Sequence, residues 1–280
     1  MQAAPGPTKR PFLDRANDLD ARDLPSRLSR FLRSRLRRLC QAGTLLADDP
    51  RVLLAWRRHW DALHFIQLRR WKAEGFQPRV VYDIGAYQGL WAEMCQHIFA
   101  PSRCFLFEPQ PEMRERAKAR AARVGAGWQI LPVALGDRRE TQVLHVTRNN
   151  AASSLLPPLG KESAAISDNQ AVAESRVQVM PLDELVAADG LPAPDLVKID
   201  VQGFEGRVLA GGKETLRKAQ RLVIEVSLHP LYDGQSLLPE ILQTLSSWGL
   251  ALQDVNETLR QWPGRLWQVD LWLQQKTTHG

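Results

Sequence analysis

The stretch RVVYDIGAYQG, residues 79–89, decides the fold of this chain. It opens with the β-branched and apolar run of a buried strand, continues into a glycine-containing turn, and leads into a helical pattern near residues 90–99. A glycine directly after a strand lets the backbone turn tightly and approach a ligand. A strand, such a turn and a helix in this order predict the start of an α/β sheet.

The alternation of strand-like and helical patterns continues to the end of the chain. Further strand-like runs stand at residues 103–108, 128–135, 141–147, 176–180, 195–200, 221–226, 250–255 and 265–273. Strands that alternate with helices predict a mostly parallel, doubly wound sheet covered on both faces. The last two runs have no helix between them, which predicts a hairpin that adds an antiparallel strand. We therefore predict one α/β domain over residues 79–275.

Residues 1–78 differ from the rest of the chain in charge. The whole chain of 280 residues carries a net charge of +6, but this segment holds 16 Lys and Arg against 8 Asp and Glu. Helical patterns at residues 27–38 and 52–71 predict a basic helical N-terminal extension. Such helices either pack on the main domain or contact an anionic membrane surface, a nucleic acid or a second copy in a homodimer. The expected apolar face of the second helix consists of Val52, Trp56, Trp60, Leu63 and Ile66.

Composition excludes several classes of protein. With 44% hydrophobic and 24% charged residues, the chain is typical of a globular protein rather than of a disordered or fibrous one. No stretch approaches the roughly 20 apolar residues that cross a bilayer, and the N-terminus lacks the apolar core of a signal peptide. Cys40, Cys95 and Cys104 have neither metal-ligand spacing nor the density of a disulfide framework. We expect reduced thiols, a cytoplasmic protein and no required metal.

Acidic residues stand at the carboxyl ends of four predicted strands. They are Asp83, Glu108, Asp200 and Glu225. Ligands of open α/β sheets bind outside these ends, so the four acids predict a binding site along one rim. Glu108 follows Asp83 by 25 residues, close to the offset of about 20 at which an acid holds ribose hydroxyls in this architecture.

The turn at residues 85–89 does not match a phosphate-binding loop. In G-x-G-x-x-G the second glycine gives a pyrophosphate access to backbone N–H groups, but Tyr87 takes that position and Leu90 takes the place of the third glycine. This pattern argues against NAD and FAD. An acidic rim with a ribose-binding acid and no phosphate cradle fits S-adenosylmethionine, which carries an ammonium and a sulfonium. The backbone N–H groups of the turn would then meet the carboxylate of the cofactor.

Five blocks of the sequence resemble the FkbM-type family of S-adenosylmethionine-dependent methyltransferases. They are VYDIGAYQG (81–89), FLFEPQP (105–111), VALGD (133–137), LVKIDVQGFEGRVLAGG (196–212) and LVIEVSLHPLYDGQ (222–235). The resemblance implies a class I methyltransferase fold with a Rossmann-like sheet. It also implies O-methylation of a hydroxyl on a small molecule, natural product or glycan. Many members have Glu at the position of Gln202, so one potential acid is absent here.

The expected site residues form two groups. Asp200 is the first choice for a general base that takes the proton of the acceptor hydroxyl, and Glu205 and His229 are the next candidates. Glu225 would orient His229 or bind substrate hydroxyls. The expected cofactor-binding residues are Asp83, Gly85, Ala86, Tyr87, Gly89, Glu108, Ala134, Leu135 and Asp200.

Two other functions remain open from the sequence. One is an RNA methyltransferase that uses the basic N-terminal helices, although residues 27–38 lack a recognisable RNA-binding fold and the remainder of the chain has a charge of −2. The other is a non-catalytic scaffold that binds S-adenosylmethionine without turnover. RNA binding with a steep salt dependence would favour the first, and cofactor binding without turnover on a broad acceptor panel would favour the second.

Overall fold

The computed structural model describes residues 43–47, 49–100, 103–148, 150–160, 171–260 and 264–276. The chain divides into two compact units, residues 1–54 and 55–280, so residues 55–78 belong to the unit that carries the sheet. The functional division after residue 78 stays a prediction. The arginine-rich helix predicted at residues 27–38 lies outside the described residues.

Helices flank most of the strands, and their ends follow local sequence signals. Pro111 occupies the first turn of its helix, and Gly125 ends that helix with a φ of 66°. In the described ranges, no helix is long and apolar enough to span a membrane. Besides the helical residues 43–47, the helices are α1 (Val52–Arg58), α2 (Ala62–Ala73), α3 (Leu90–Phe99), α4 (Pro111–Val124), α5 (Leu182–Asp189), α6 (Glu205–Gly211), α7 (Lys213–Leu216) and α8 (Leu238–Ser247).

The helix predicted over residues 52–71 is in fact two helices. α1 ends at Arg58, and His59 adopts a positive φ of 59°. Asp61 then caps α2, because its side chain accepts a hydrogen bond from the backbone N–H of His64 at 2.9 Å. The predicted apolar face is therefore wrong for α2, whose buried residues are His64, Phe65, Gln67, Leu68 and Trp71.

Seven strands form the main sheet, in the order β3-β2-β1-β7-β8-β10-β9. β10 is antiparallel to both of its neighbours, and the other pairs are parallel. This arrangement confirms the predicted mostly parallel Rossmann-like sheet with an antiparallel C-terminal hairpin strand. The strands of the chain are β1 (Val80–Ile84), β2 (Arg103–Phe107), β3 (Gln129–Leu131), β4 (Ala134–Leu135), β5 (Glu140–Thr147), β6 (Ala171–Met180), β7 (Leu196–Ile199), β8 (Arg221–Ser227), β9 (Leu250–Arg260) and β10 (Leu266–Gln275).

The run at residues 128–135, predicted as one strand, contributes to two sheets. β3 pairs with β2 in the main sheet, whereas β4 pairs with β6 in a separate three-stranded sheet of order β4-β6-β5. Pro132 lies between β3 and β4, and proline interrupts a ladder because it has no backbone N–H to donate. The sequence did not reveal this smaller sheet, which lies next to the candidate site.

The order of the strands reverses at β1, and this reversal positions the site. β2 lies on one side of β1 and β7 on the other, so a crevice opens where the two chain directions diverge. The loops after β1 and β7 meet there at close range. A Cβ atom added to Gly85 would lie 1.9 Å from the backbone oxygen of Asp200, so only glycine allows this approach.

Candidate active site

A narrow cavity of about 70 Å³ lies beyond the carboxyl ends of β1 and β2. We call it the first cavity. Apolar walls come from Ile84, Phe107, Leu144, Leu155 and Phe204. The predicted cofactor-binding residues that line it are Gly85, Tyr87, Glu108, Ala134, Leu135 and Asp200.

The other predicted cofactor-binding residues lie outside this lining. Ala86 and Gly89 belong to the turn after β1. Their backbone N–H groups donate to the end of β2 and within the turn itself. Asp83 is completely buried at the end of β1. Burial raises the pKa of Asp83 to about 6, although Lys198 and the backbone N–H of Ala92 act in the opposite direction.

Glu108 joins the turn after β1 to the end of β2. Its two carboxylate oxygens accept the backbone N–H groups of Tyr87 and Gln110, each at 2.8 Å. The side chain is buried, and burial raises the pKa of Glu108 to about 7 even though both hydrogen bonds favour the ionised form. Each oxygen keeps a second lone pair, so the carboxylate can also accept hydrogen bonds from ligand hydroxyls.

The turn itself offers few free donors. The N–H groups of Gly85 and Ala86 donate to the carbonyl of Phe107 at 3.1 and 3.2 Å, and the N–H of Gly89 donates to the carbonyl of Ala86 at 2.8 Å. Together with the Tyr87 bond to Glu108, these contacts occupy four of the turn's donors. Each of these four groups already has an acceptor within the chain, so a cofactor carboxylate would have to share or replace those bonds, and the expectation that the N–H groups of the turn meet it stays a prediction.

A second cavity, of about 570 Å³, adjoins the first at Asp200, which lines both. Parts of α3 and of β7–β10 surround it, together with residues 59–64 around the start of α2. The side chain of Asp200 is 32% exposed. The described lining of this cavity contains one lysine, Lys198, and five acids, Asp61, Asp200, Glu225, Glu257 and Asp270.

Lys198 connects Asp200 to the buried end of β1. Its Nζ lies 3.1 Å from Oδ2 of Asp200 and 3.8 Å from Oδ1 of Asp83. Burial alone would lower the pKa of this lysine, but the two carboxylates outweigh burial and raise it. Asp83 therefore lies beneath the rim, where it helps to hold the lysine that orients Asp200.

Gln202 links two of the acids. Its Nε2 donates to Oδ1 of Asp200 at 2.7 Å and to Oε2 of Glu225 at 3.1 Å. Gln268 also donates to Oε2 of Glu225, at 2.8 Å. Burial, followed by repulsion from the like charge of Asp200, raises the pKa of Glu225 well above its usual value. A glutamate at position 202 could not donate in this way, since an ionised carboxylate only accepts.

Two of the residues predicted for catalysis lie away from both cavities. Oε1 of Glu205 accepts the backbone N–H groups of Val201 and Gly203, both at 3.1 Å, within the loop that precedes α6. The ring of His229 packs against Trp267, with centroids 5.4 Å apart. Neither residue belongs to the described lining, and no hydrogen bond between described residues joins Glu225 to His229. The structure thus brings Asp200 and Glu225 together and leaves the other two apart.

A buried pair in the second cavity escaped the sequence analysis. Nε2 of His64 lies 2.7 Å from Oδ2 of Asp270, which is 206 residues away in the chain. The indole N–H of Trp91 donates to Nδ1 of His64 at 3.1 Å, so the imidazole proton lies on Nε2 and faces Asp270. One signal existed: Asp270 interrupts the apolar run RLWQVDLWL, and an acid in a buried strand requires a partner.

Comparison with known proteins places the chain in a family. The model of the methyltransferase FkbM domain matches residues 83–251. The chain is 31% identical to the 2-O-methyltransferase NoeI of Sinorhizobium fredii over 62% of this chain and 74% of that protein. It is 25% identical to the hexuronic acid methyltransferase AglP of Haloferax volcanii over 55% of this chain and 58% of that protein.

Solved structures give a more distant similarity. Cofactor-bound Rv0187 from MTB superposes with a TM-score of 0.49 and 16% identity, over 84% of this chain and 94% of that one. The family match spans more than half of the chain and confirms the predicted family, the enzyme class and the cofactor. The chain belongs to the FkbM family of S-adenosylmethionine-dependent methyltransferases.

Proposed function

We propose that this enzyme methylates a hydroxyl of a sugar or related small molecule that binds in the second cavity, with the donor in the first. One observation carries the proposal: Asp200 lies on the wall that the two cavities share. Direct transfer needs donor and acceptor aligned at such a boundary. A sugar acceptor is supported by the relatives, which are named as a 2-O-methyltransferase and a hexuronic acid methyltransferase.

The residues of the first cavity fit an adenosyl donor without phosphates. Its described lining contains no lysine, arginine or histidine that could neutralise a phosphate. Glu108 would hold the ribose hydroxyls, and Asp200 would lie near the cationic end. When bound, the cofactor supplies an electrophilic methyl group on a sulfonium.

Asp200 is the proposed general base. Lys198 and Gln202 each donate to one of its oxygens and so fix the carboxylate, while the side chain stays partly exposed to both cavities. The acceptor hydroxyl would give its proton to this carboxylate as its oxygen bonds to the methyl carbon. Glu225, which Gln202 holds beside Asp200, would bind a neighbouring hydroxyl of the acceptor.

The negative charge of the second cavity restricts which part of the acceptor can bind there and react. Five acids and one lysine in its described lining would repel an anionic group placed there. A neutral or cationic sugar ring fits this environment, because its hydroxyls donate hydrogen bonds to carboxylates. We therefore expect the methylated hydroxyl to belong to an uncharged or amino-bearing part of the acceptor.

The variant Asp200→Asn tests the proposal. Asparagine keeps the shape and can accept a hydrogen bond but cannot take a proton, so we expect kcat to fall by about 10²–10⁴-fold. Because Asp200 would also lie near the cationic end of the donor, the dissociation constant of S-adenosylmethionine should rise by no more than about tenfold, which corresponds to roughly 1.4 kcal/mol. Asp189→Asn, an exposed position at the end of α5, is the matched control. Wild-type turnover of Asp200→Asn would place the base elsewhere, and loss of cofactor affinity alone would place Asp200 on the donor side only.

A further inference from the structure

A third cavity, of about 440 Å³, adjoins the second and carries the opposite charge. It shares His59 and Leu90 with the second cavity, so the two spaces are contiguous. Its described lining contains no acid. The basic residues of the lining, apart from His59, are Arg57, Arg58, Arg120 and Arg123.

One acid beneath the lining balances part of this charge. The side chain of Glu93 is 2% exposed and lies 3.1 Å from Nη1 of Arg58 and 3.4 Å from Nη2 of Arg123. Arg120 also pairs with Glu93. Arg57 forms no ion pair with another residue in the described part of the chain. Four guanidinium groups against this one carboxylate leave a surplus of three positive charges.

The ion pairs with Glu93 use only some of the hydrogen-bond donors of these arginines. Each guanidinium has five N–H donors, and Arg58 and Arg123 each reach Glu93 through one nitrogen. Their side chains are 47% and 63% exposed and belong to the lining of the third cavity, so donors remain accessible to an anion from solvent. The planar donor fork of arginine matches phosphate oxygens in pairs. A surplus of three charges fits a phosphate or diphosphate, since a phosphate monoester carries about −1.5 to −2 near neutral pH.

The residue between the two cavities has a strained backbone. His59 has a φ of 59°, in the left-handed region that non-glycine residues adopt at a cost of about 1–3 kcal/mol. This conformation ends α1 and starts the short connection to α2, which places Arg57 and Arg58 on one side and Asp61 on the other. The acidic second cavity and the basic third cavity thus meet at the exposed His59 and at Leu90.

We propose that the third cavity binds a phosphate or diphosphate group carried by the acceptor, so that the acceptor is a sugar phosphate or a diphosphate-linked sugar. Its identity as an acceptor rests on the proposed function, whereas the anion site does not. The opposite charges of the two cavities would set a single orientation: the acids of the second cavity repel the phosphate that the arginines attract. The reacting hydroxyl would then face Asp200.

Calorimetric titration of the full chain with inorganic pyrophosphate, at fixed ionic strength, tests the anion site. The double variant Arg57→Gln/Arg123→Gln removes two exposed guanidinium groups, and we expect its affinity to be at least about tenfold lower than that of the wild type. The matched control is Arg138→Gln/Arg139→Gln, which removes the same charge from side chains that are 63% and 61% exposed and lie outside the three cavities. The basic N-terminal segment is present in every variant, so its contribution cancels.

Three results would overturn the proposal. The first is that the wild type does not bind pyrophosphate. The second is that both double variants lose affinity equally, which would mean that only the overall charge of the protein matters. Alternatively, a short RNA would bind more tightly than pyrophosphate with a steep salt dependence that Arg57→Gln/Arg123→Gln reduces, which would assign the arginines to nucleic acid.

Further titrations with glucose 1-phosphate, UDP-glucose and a prenyl phosphate-linked glucose show which kind of phosphate-bearing sugar the third cavity prefers. We expect at least one of them to bind more tightly than pyrophosphate and to lose that advantage in the Arg57→Gln/Arg123→Gln variant. If all three bind more weakly than pyrophosphate, the proposal that the anion belongs to a sugar acceptor is overturned, while the anion site itself stands. Because these are binding measurements, they stay informative even if Asp200→Asn keeps full turnover and the proposed function fails.

Discussion

The first and second cavities meet at Asp200 but are built in different ways. The first takes its polar contacts from short motifs, the turn at 85–89 and Glu108, which the parallel strands β1 and β2 bring to one edge. The second depends on contacts between distant segments, such as the bond from His64 to Asp270 across 206 residues. One is largely apolar, and the other is lined by five acids and a lysine.

This contrast indicates which part of the site depends on tertiary packing. A donor site made by adjacent strand ends needs the core of the main sheet and the walls that Leu144, Leu155 and Phe204 supply. An acceptor site made by α2, β8 and β10 needs those elements to dock correctly, because His64 and Asp270 are buried and must meet each other. Substitutions that disrupt the second cavity should therefore leave the affinity for the cofactor unchanged.

His64→Ala is the strongest test of that separation. Loss of the imidazole would leave Asp270 buried without its partner, so we expect the free energy of unfolding to fall by about 3–5 kcal/mol. His64 does not line the first cavity, and the dissociation constant of S-adenosylmethionine should change by less than about threefold. Urea unfolding and calorimetry measure the two quantities.

The double variant His64→Ala/Asp270→Asn serves as the control. Since it removes the uncompensated charge, its loss of stability should be smaller than the sum of the two single losses. A fall in cofactor affinity that follows the fall in stability would show that the two cavities are not separable.

Glu205→Gln tests the loop that precedes α6, where Glu205 accepts two backbone N–H groups. Burial raises the pKa of Glu205 from 4.5 to about 7, so the folded state binds more protons than the unfolded state between these values. The contribution of this group to stability is thus present below about pH 4.5 and is lost as the pH rises through about 7, a change of about 3 kcal/mol. Both N–H bonds reach one oxygen, Oε1, which glutamine retains.

We therefore expect Glu205→Gln to match the wild type near pH 4.5 and to exceed its stability by about 3 kcal/mol at pH 8. Chemical denaturation at the two pH values provides the measurement. A difference between the proteins that does not change with pH would mean that Glu205 titrates normally in the folded state.

Glu108→Ala should have a smaller effect, confined to the first cavity. We expect the dissociation constant of S-adenosylmethionine to rise by about 10- to 100-fold, because a ligand hydroxyl and two backbone N–H groups lose a charged acceptor. Calorimetry with Glu112→Ala as control, a side chain that is 63% exposed on the next helix, isolates the effect. Unchanged affinity would remove Glu108 from the donor site.

The sequence predicted the edge of the sheet better than the walls of the site. Asp83, Glu108, Asp200 and Glu225 were identified because parallel strands end at the same edge, and the structure places them at the ends of β1 and β2, after β7 and within β8. That Asp83 lies beneath the rim, paired with Lys198, depends on the burial of β1 and not on any motif.

Contacts between distant segments were beyond the reach of sequence patterns. Periodicity identifies α2 and β10 as elements but does not specify that His64 meets Asp270, because the pairing arises only when the two elements dock. Pro132 could have indicated the break between β3 and β4, but not that β4 joins a second sheet. The predicted homodimer, the membrane contact of the N-terminal helices, the cytoplasmic location and the absence of a required metal stay predictions.

A crystal structure with S-adenosylhomocysteine tests the division into donor and acceptor cavities most directly. We expect the ribose hydroxyls within hydrogen-bond distance of Glu108, about 2.6–3.2 Å, and the sulfur at the Asp200 end of the first cavity, with the second cavity open to an acceptor. An adenosyl group in the second cavity, or a ribose remote from Glu108, would contradict the assignment of both cavities.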